Sequence, residues 1–219
     1  MENAYLVAAG IGRDSKRYDC IPDECLSGYI LDLGASLGIN QLGSKHKEKF
    51  LLAVREDRYT GIEAFMPLEP LLPITEGNIM EYQPDRKFDL ILLMDVIEHI
   101  QFRDWFILFP RLKEWLQPNG ILILTTPYKE SITGYLHHQG YYSCHVVFNI
   151  SRDIISRFLP GARFENSQYM QKRIIWRDKD ESHLWALMRF IKRRLTGHRH
   201  GRILKRRKRL NVFWKKETP

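Results

Sequence analysis

The 219-residue chain is 44% hydrophobic and carries 34 Lys and Arg against 26 Asp and Glu, a formal charge of +8. That is enough chain to bury one sizeable core in a single domain, and no apolar run is long enough to read as a membrane-spanning helix. Met1 to Gly12 has an acid at Glu2 and no basic n-region, so it does not read as a signal peptide. Cys20, Cys25 and Cys144 are too few and oddly numbered for a disulfide framework, which favours a reducing, cytoplasmic setting.

The first strand is expected at Tyr29, Ile30, Leu31 and Leu33, a short apolar run ending in the turn of Gly34, Ser36 and Gly38. Ser44 to Arg55 has helical spacing, with Phe50, Leu51 and Val54 apolar among charges. Tyr59 to Ile62 reads as a strand closing at Glu63, and the three prolines of "EAFMPLEPLLPIT" leave little room for a regular helix after it. "FDLILLM", Phe88 to Met94, is an unbroken apolar strand ending at Asp95. "FRDWFILFPRLKEWLQPNG" reads as a helix interrupted near Pro110 and stopped by Pro118 and Gly120. "ILILTTP" is a further buried strand, and Val147 to Leu159 a helix with Ser151 as a possible cap. Beyond it, Phe164 to Met170 suits a strand, Ser182 to Leu195 a basic amphipathic helix, and Leu210 to Lys215 a closing strand.

Strands alternating with helices imply an α/β fold of the Rossmann-like, doubly wound kind. Such a fold has a mostly parallel sheet with helices on both faces. Ligands of such sheets sit outside the carboxyl ends of the strands. Asp32, Glu63, Asp95 and Thr125 to Tyr128 all follow strands, so they would share one rim.

These segments resemble class I S-adenosylmethionine-dependent methyltransferases over Gly28 to Leu159. The family's first motif, D-x-G-x-G-x-G after a strand, is matched by Asp32-Leu33-Gly34-Ala35-Ser36-Leu37-Gly38, with Ser36 at the middle glycine. Glu63 matches the acid closing the second strand. "FDLILLMDVIEHI" carries the D/E-x-x-E-H form in Asp95, Glu98 and His99, and "LQPNGILILTTP" has the Leu-x-Pro-x-Gly turn before the fifth strand. The resemblance implies a seven-stranded sheet and S-adenosylmethionine as cofactor. It implies that Gly34, Ser36 and Gly38 approach the methionine and ribose portions, that Glu63 accepts the ribose hydroxyls, and that Asn78 stands where an Asp usually contacts adenine. Asp32 would hold the loop near the methionine end, and Asp95 would complete the cofactor site. From Asp32 to Glu63 is 31 positions, against about 20 in dinucleotide-binding folds, which calls for an enlarged first helix or loop. A dinucleotide dehydrogenase would need G-x-G-x-x-G, and no third glycine matches.

Methyl transfer from a sulfonium is an in-line displacement that depends on alignment and exclusion of water. A base helps where the acceptor is a hydroxyl, and His99 and His145 have the right unperturbed pKa for it. Each could equally be a hydrogen-bonding structural histidine. Asp95, Glu98, His99 and His145 also resemble the metal-binding quartet of the small-RNA 3′-terminal 2′-O-methyltransferases. A second nearby histidine and the aromatic-rich phrase of that family are missing, so no metal is expected. Residues 128–145, rich in Tyr and His, read as a substrate lid.

Charge is unevenly placed. From Arg189 to Lys216 there are 13 Lys or Arg and no acid, leaving 21 basic against 26 acidic residues, or −5, elsewhere. Residues 176–210 therefore read as a basic helical insertion or appendage before the last strand. Leu184, Leu187, Met188, Ile191 and Leu195 share a helical face there, followed by the Lys205 to Arg209 cluster. Such a segment can lie on an anionic membrane, bind RNA phosphates, or pack on the sheet with a solvated edge. The favoured reading is methyl transfer to a small or lipid-linked acceptor at a membrane surface. An RNA methyltransferase and an inactive cofactor-fold binding module are the alternatives.

Overall fold

A computed structural model describes residues 15–66, 69–128, 146–147, 150–173 and 203–217. The expected lid beyond Tyr128, His145 and the Ser182 to Leu195 helix lie outside the described residues. The chain forms two compact units, Met1–Ser167 with Lys208–Pro219, and Gln168–Arg207. Of the second, only the ends of two strands are described.

Seven strands form one sheet: β1 (Ile30–Leu33), β2 (Tyr59–Glu63), β3 (Ile74–Glu76), β4 (Phe88–Met94), β5 (Leu116–Pro127), β6 (Arg163–Arg173) and β7 (Ile203–Lys215). Their order is β3-β2-β1-β4-β5-β7-β6. β1 pairs in parallel with both β2 and β4, β2 with β3 and β4 with β5, whereas β7 runs antiparallel to β5.

The apolar run Leu90 to Met94 of β4 is explained by cover on both faces, with Asp89 exposed near the strand's start. Successive side chains of a strand point to opposite faces. Leu90, Leu92 and Met94 accordingly enter one core with Tyr18, Ile21, Phe50 and Phe213. Ile91 and Leu93 enter the other with Trp105, Leu108, Leu112, Ile155 and Phe158. The α-helices among the described residues are α1 (Ile39–Leu42), α2 (Lys47–Arg55), α3 (Trp105–Trp115) and α4 (Arg152–Phe158). Ser151 caps α4, its Oγ accepting from the Ile154 N–H at 3.4 Å, which satisfies one of the helix's free donors.

Four boundaries differ from expectation. The segment after β1 divides into α1 and α2, so helix begins at Ile39 and the second piece only at Lys47; this fills the long Asp32 to Glu63 interval. α3 runs through Pro110 without interruption. Pro118 and Gly120 lie within β5 and not before it. Leu116 pairs with Phe88, the four residues Gln117 to Gly120 then stand opposite Asp89 alone, with Asn119 at φ +64°, and pairing resumes at Ile121. Finally, β7 begins at Ile203, so residues 203–210 of the expected helical insertion are strand.

Candidate functional site

The order of the sheet places β1 beside β4, and their onward connections leave in opposite directions. This is the switch point where a crevice opens at the carboxyl ends of the strands. The loop after β1 bends sharply there. Gly34 and Gly38 both sit at φ +81°, and Ser36 and Leu37 also adopt positive φ. A Cβ on Gly34 would come within 2.4 Å of Val96 Cγ2, so the loop approaches the β4 exit more closely than any side chain would allow. The Gly34 and Ala35 amides both donate to Ile62 O at the end of β2.

Glu63, closing β2, turns its carboxylate onto this loop. Its Oε2 accepts from the Ser36 N–H at 2.8 Å and its Oε1 from the Ala64 N–H at 3.0 Å. Gly77 donates to the Glu63 carbonyl, which brings Asn78 to the same rim. The Asn78 side chain is partly spent locally, accepting from Met80 N and donating to Glu81.

Asp32 is fully buried beneath the loop. It accepts from Gln41 Nε2 at 2.6 Å and from the hydroxyls of Tyr18 and Tyr59 at 3.1 Å, while Gln41 also donates to Ala35 O. Burial pushes its carboxyl up to about 6, although the hydrogen bonds from Gln41, Tyr18 and Tyr59 pull the other way. Through Gln41, Asp32 is tied to the Ala35 carbonyl in the loop.

Asp95 leaves β4 at φ +58°. Arg209, from β7, donates through Nη2 to Oδ2 at 2.7 Å and through Nε to Oδ1 at 3.1 Å, and Thr125 donates to Oδ1 at 2.8 Å. Burial alone would raise the Asp95 carboxyl. The charges of Arg209 and Arg17, with these hydrogen bonds, hold it below the usual carboxylate range. Glu98 is buried one turn on. Thr126 donates to its Oε2 at 3.1 Å, whereas Oε1 is buried without a hydrogen-bond partner. Burial, then the neighbouring charge of Asp95, pushes its carboxyl well up.

His99 follows on the exposed side of the same turn. His145 itself lies outside the described residues, but the next residue, Val146, donates its N–H to Glu98 O at 2.8 Å. Among the described residues, no three His, Cys, Asp or Glu side chains are grouped to hold a metal.

Spacing within the motifs does not reveal Arg17, Tyr18, Gln41 or Arg209. Arg17, ahead of the first strand, donates to Met94 O at 2.9 Å and to Ser36 Oγ at 3.3 Å. Arg209 was hidden in a run of five cations. The only available signal was strand alternation in "RLNVF", which puts Arg209 and Asn211 on one face, and Leu210 and Val212 on the other.

Comparison with known proteins adds a family. The model of a methyltransferase domain matches residues 15–195. A crystal structure of an S-adenosylmethionine-dependent methyltransferase from Archaeoglobus fulgidus aligns with a TM-score of 0.53 at 16% identity, over 97% of this chain and 94% of that one. The YcgJ protein of Bacillus subtilis aligns at 0.50 and 14%, over 95% and 98%. Human N-acetylserotonin methyltransferase aligns at 0.52 and 12%, over 94% of this chain but 52% of its own. No curated protein matches the sequence significantly.

Proposed function

The chain belongs to the methyltransferase-domain family and is an S-adenosylmethionine-dependent methyltransferase, and on that premise we propose that its acceptor is a small or lipid-linked molecule with an apolar body, met at an anionic membrane surface. The chemistry of the rim fits the cofactor. A carboxylate offers about four lone-pair sites, and Glu63 spends two on the Ser36 and Ala64 amides, so it retains capacity for the two ribose hydroxyls. The backbone of Gly34, Ser36 and Gly38 faces the methionine and ribose portions, Asn78 the adenine edge, and Asp95 closes the crevice. Bound there, the cofactor supplies an electrophilic methyl group on a sulfonium. His99 and His145 are the groups that take a proton from the acceptor.

The observation that carries the acceptor class is where apolar surface is left exposed. Among the described residues eight large hydrophobic side chains are exposed. Six of them, Phe65, Leu71, Phe102, Phe106, Ile107 and Val146, lie in the segments that follow the carboxyl ends of β2, β4 and β5. Three of them, Phe102, Phe106 and Ile107, share the segment after β4, where the Phe102 and Phe106 rings meet edge-on at 5.7 Å, and a contiguous exposed apolar patch marks contact with a membrane, partner or apolar ligand. The basic run supports the membrane part with a corrected count. Arg209 is turned inward onto Asp95, so it drops out of the cations the run can offer an anionic surface, where each contributes about 1 kcal/mol. Among the described residues no helix is long and apolar enough to cross a membrane; surface attachment is the mode proposed.

The test is to incubate the protein with methyl-labelled cofactor, a total lipid extract and total RNA together. Label is expected in the organic phase. Label recovered in RNA instead would replace this reading with the RNA methyltransferase.

A further inference from the structure

We propose that Arg17 binds the carboxylate at the methionine end of the cofactor, an assignment that rests on the cofactor reading above. S-adenosylmethionine carries one anionic group at neutral pH, and an anion in a partly buried crevice needs a cation with donors to offer. Two arginines stand at the switch point among the described residues. Arg209 directs Nε and Nη2 at Asp95, so its fork already faces a carboxylate. Arg17 does not have such a partner. Its Nη1 reaches Asp95 Oδ2 only at 3.9 Å, beyond hydrogen-bond range.

The position of Arg17 is specific to the crevice. It donates from Nη1 to the carbonyl of Met94, the last residue of β4, and from Nη2 to Ser36 Oγ in the loop after β1. The guanidinium therefore bridges the two strand ends between which the ligand crevice of this fold opens. Two of its five N–H groups make hydrogen bonds. Nε is buried with no partner at all, and the bond from Nη2 is long at 3.3 Å. The Nε–Nη2 edge is the fork that matches a carboxylate in bidentate geometry. A buried donor left unpaired is costly, and a carboxylate arriving in the crevice would relieve that cost by drawing the guanidinium edge onto itself. Asp32 does not serve, because its oxygens take Gln41 and the two tyrosines.

Calorimetry with three ligands tests this. S-adenosylhomocysteine has the carboxylate, its decarboxylated analogue keeps only the ammonium, and 5′-methylthioadenosine lacks both. The wild-type protein should prefer S-adenosylhomocysteine over the decarboxylated analogue by about tenfold or more, the worth of a charge-assisted pair. Arg17→Gln should erase that preference while holding the affinities of the other two ligands within about twofold, and Arg17→Lys should restore part of it. Equal wild-type affinity for the first two ligands overturns the assignment without any variant. Uniform weakening of all three by Arg17→Gln also overturns it, since that marks Arg17 as a latch between strand ends. If the wild type binds none of them, the cofactor reading fails first and this assignment falls with it.

Discussion

Replacing Arg209 by Met should destabilise the protein through Asp95. The Arg209 side chain is 3% exposed and that of Asp95 16%, so the substitution leaves a mostly buried carboxylate without its main partner. Removing one member of a buried pair costs about 3–5 kcal/mol. Here Thr125 still donates to Asp95, and Arg17 stays 3.9 Å away, which places the expected loss nearer about 2–3 kcal/mol. For a domain of this size that is a fall of about 5–10 °C in Tm. Urea unfolding at neutral pH reads the same quantity directly. Arg209→Met combined with Asp95→Asn removes both buried charges, and the double variant should recover at least about 1 kcal/mol relative to the sum of the singles. The pH dependence follows from the depressed Asp95 carboxyl. Its stabilisation is present above the unfolded-state value and is lost as the pH falls through the folded one. The Arg209→Met variant should lack that acid limb. A loss below about 1 kcal/mol, or strictly additive singles, would refute the idea that Arg209 and Asp95 act as a unit.

Asp32 should show the opposite sign. Its carboxyl rises from 3.8 to about 6 on folding, so the favourable contribution of its protonated form is present at low pH and disappears as the pH climbs through 6. Between pH 5 and 7 the stability of the wild type relative to Asp32→Asn should fall by about 1 kcal/mol, measured by paired urea titrations; a flat difference would argue against a buried, strained carboxylate. Glu63→Gln should lower S-adenosylhomocysteine affinity by about tenfold or more while changing stability by less than about 1 kcal/mol, since the one amide oxygen can still accept from the Ser36 N–H and the Ala64 N–H, whose bond is exposed, can turn to water. Unaltered binding by calorimetry would remove Glu63 from the site. His99→Ala and His145→Ala should reduce turnover more than cofactor affinity, and activity should survive a chelator. Activity abolished by chelation and restored by a divalent ion would make the Asp95, Glu98, His99 and His145 set a metal site.

The parallel body of the fold was readable because its strands are short, apolar and closed by turn residues. β4 is the clearest case: two faces in two cores demand consecutive apolar residues, and Leu90 to Met94 of "FDLILLM" supply five in a row, all buried, with the exposed Asp89 near the strand's start. The boundaries that shifted are those where a local rule met a tertiary one. Pro110 was expected to break a helix, yet Trp105, Leu108, Phe109, Leu112 and Trp115 all reach the core from one continuous α3, and that burial outweighs the lost hydrogen bond. β7 begins seven residues earlier than its apolar run, at Ile203 and not Leu210, because the sheet supplies partners for backbone whatever the side chains. A basic stretch shows neither period until its neighbours are known.

The site divides along the same line. Residues at strand exits, such as Glu63 and Asp95, could be found by counting from apolar runs, because topology alone puts them on one rim. What satisfies them could not. A carboxylate taken out of water at a strand end must collect donors or change its proton affinity, and nothing requires those donors to be near in sequence. Asp32 collects Tyr18, Gln41 and Tyr59, while Asp95 collects Thr125 and Arg209, the last from 114 positions away. A motif acid therefore has to be read together with the charges that face it. Asp95 faces a dedicated arginine and is held low, whereas Asp32 is hydrogen-bonded only by neutral donors, with the Arg17 charge a lesser influence, and burial pushes it high. Identical side chains at the ends of adjacent strands thus have opposite pH responses, and the difference lies in residues that no motif spacing would mark.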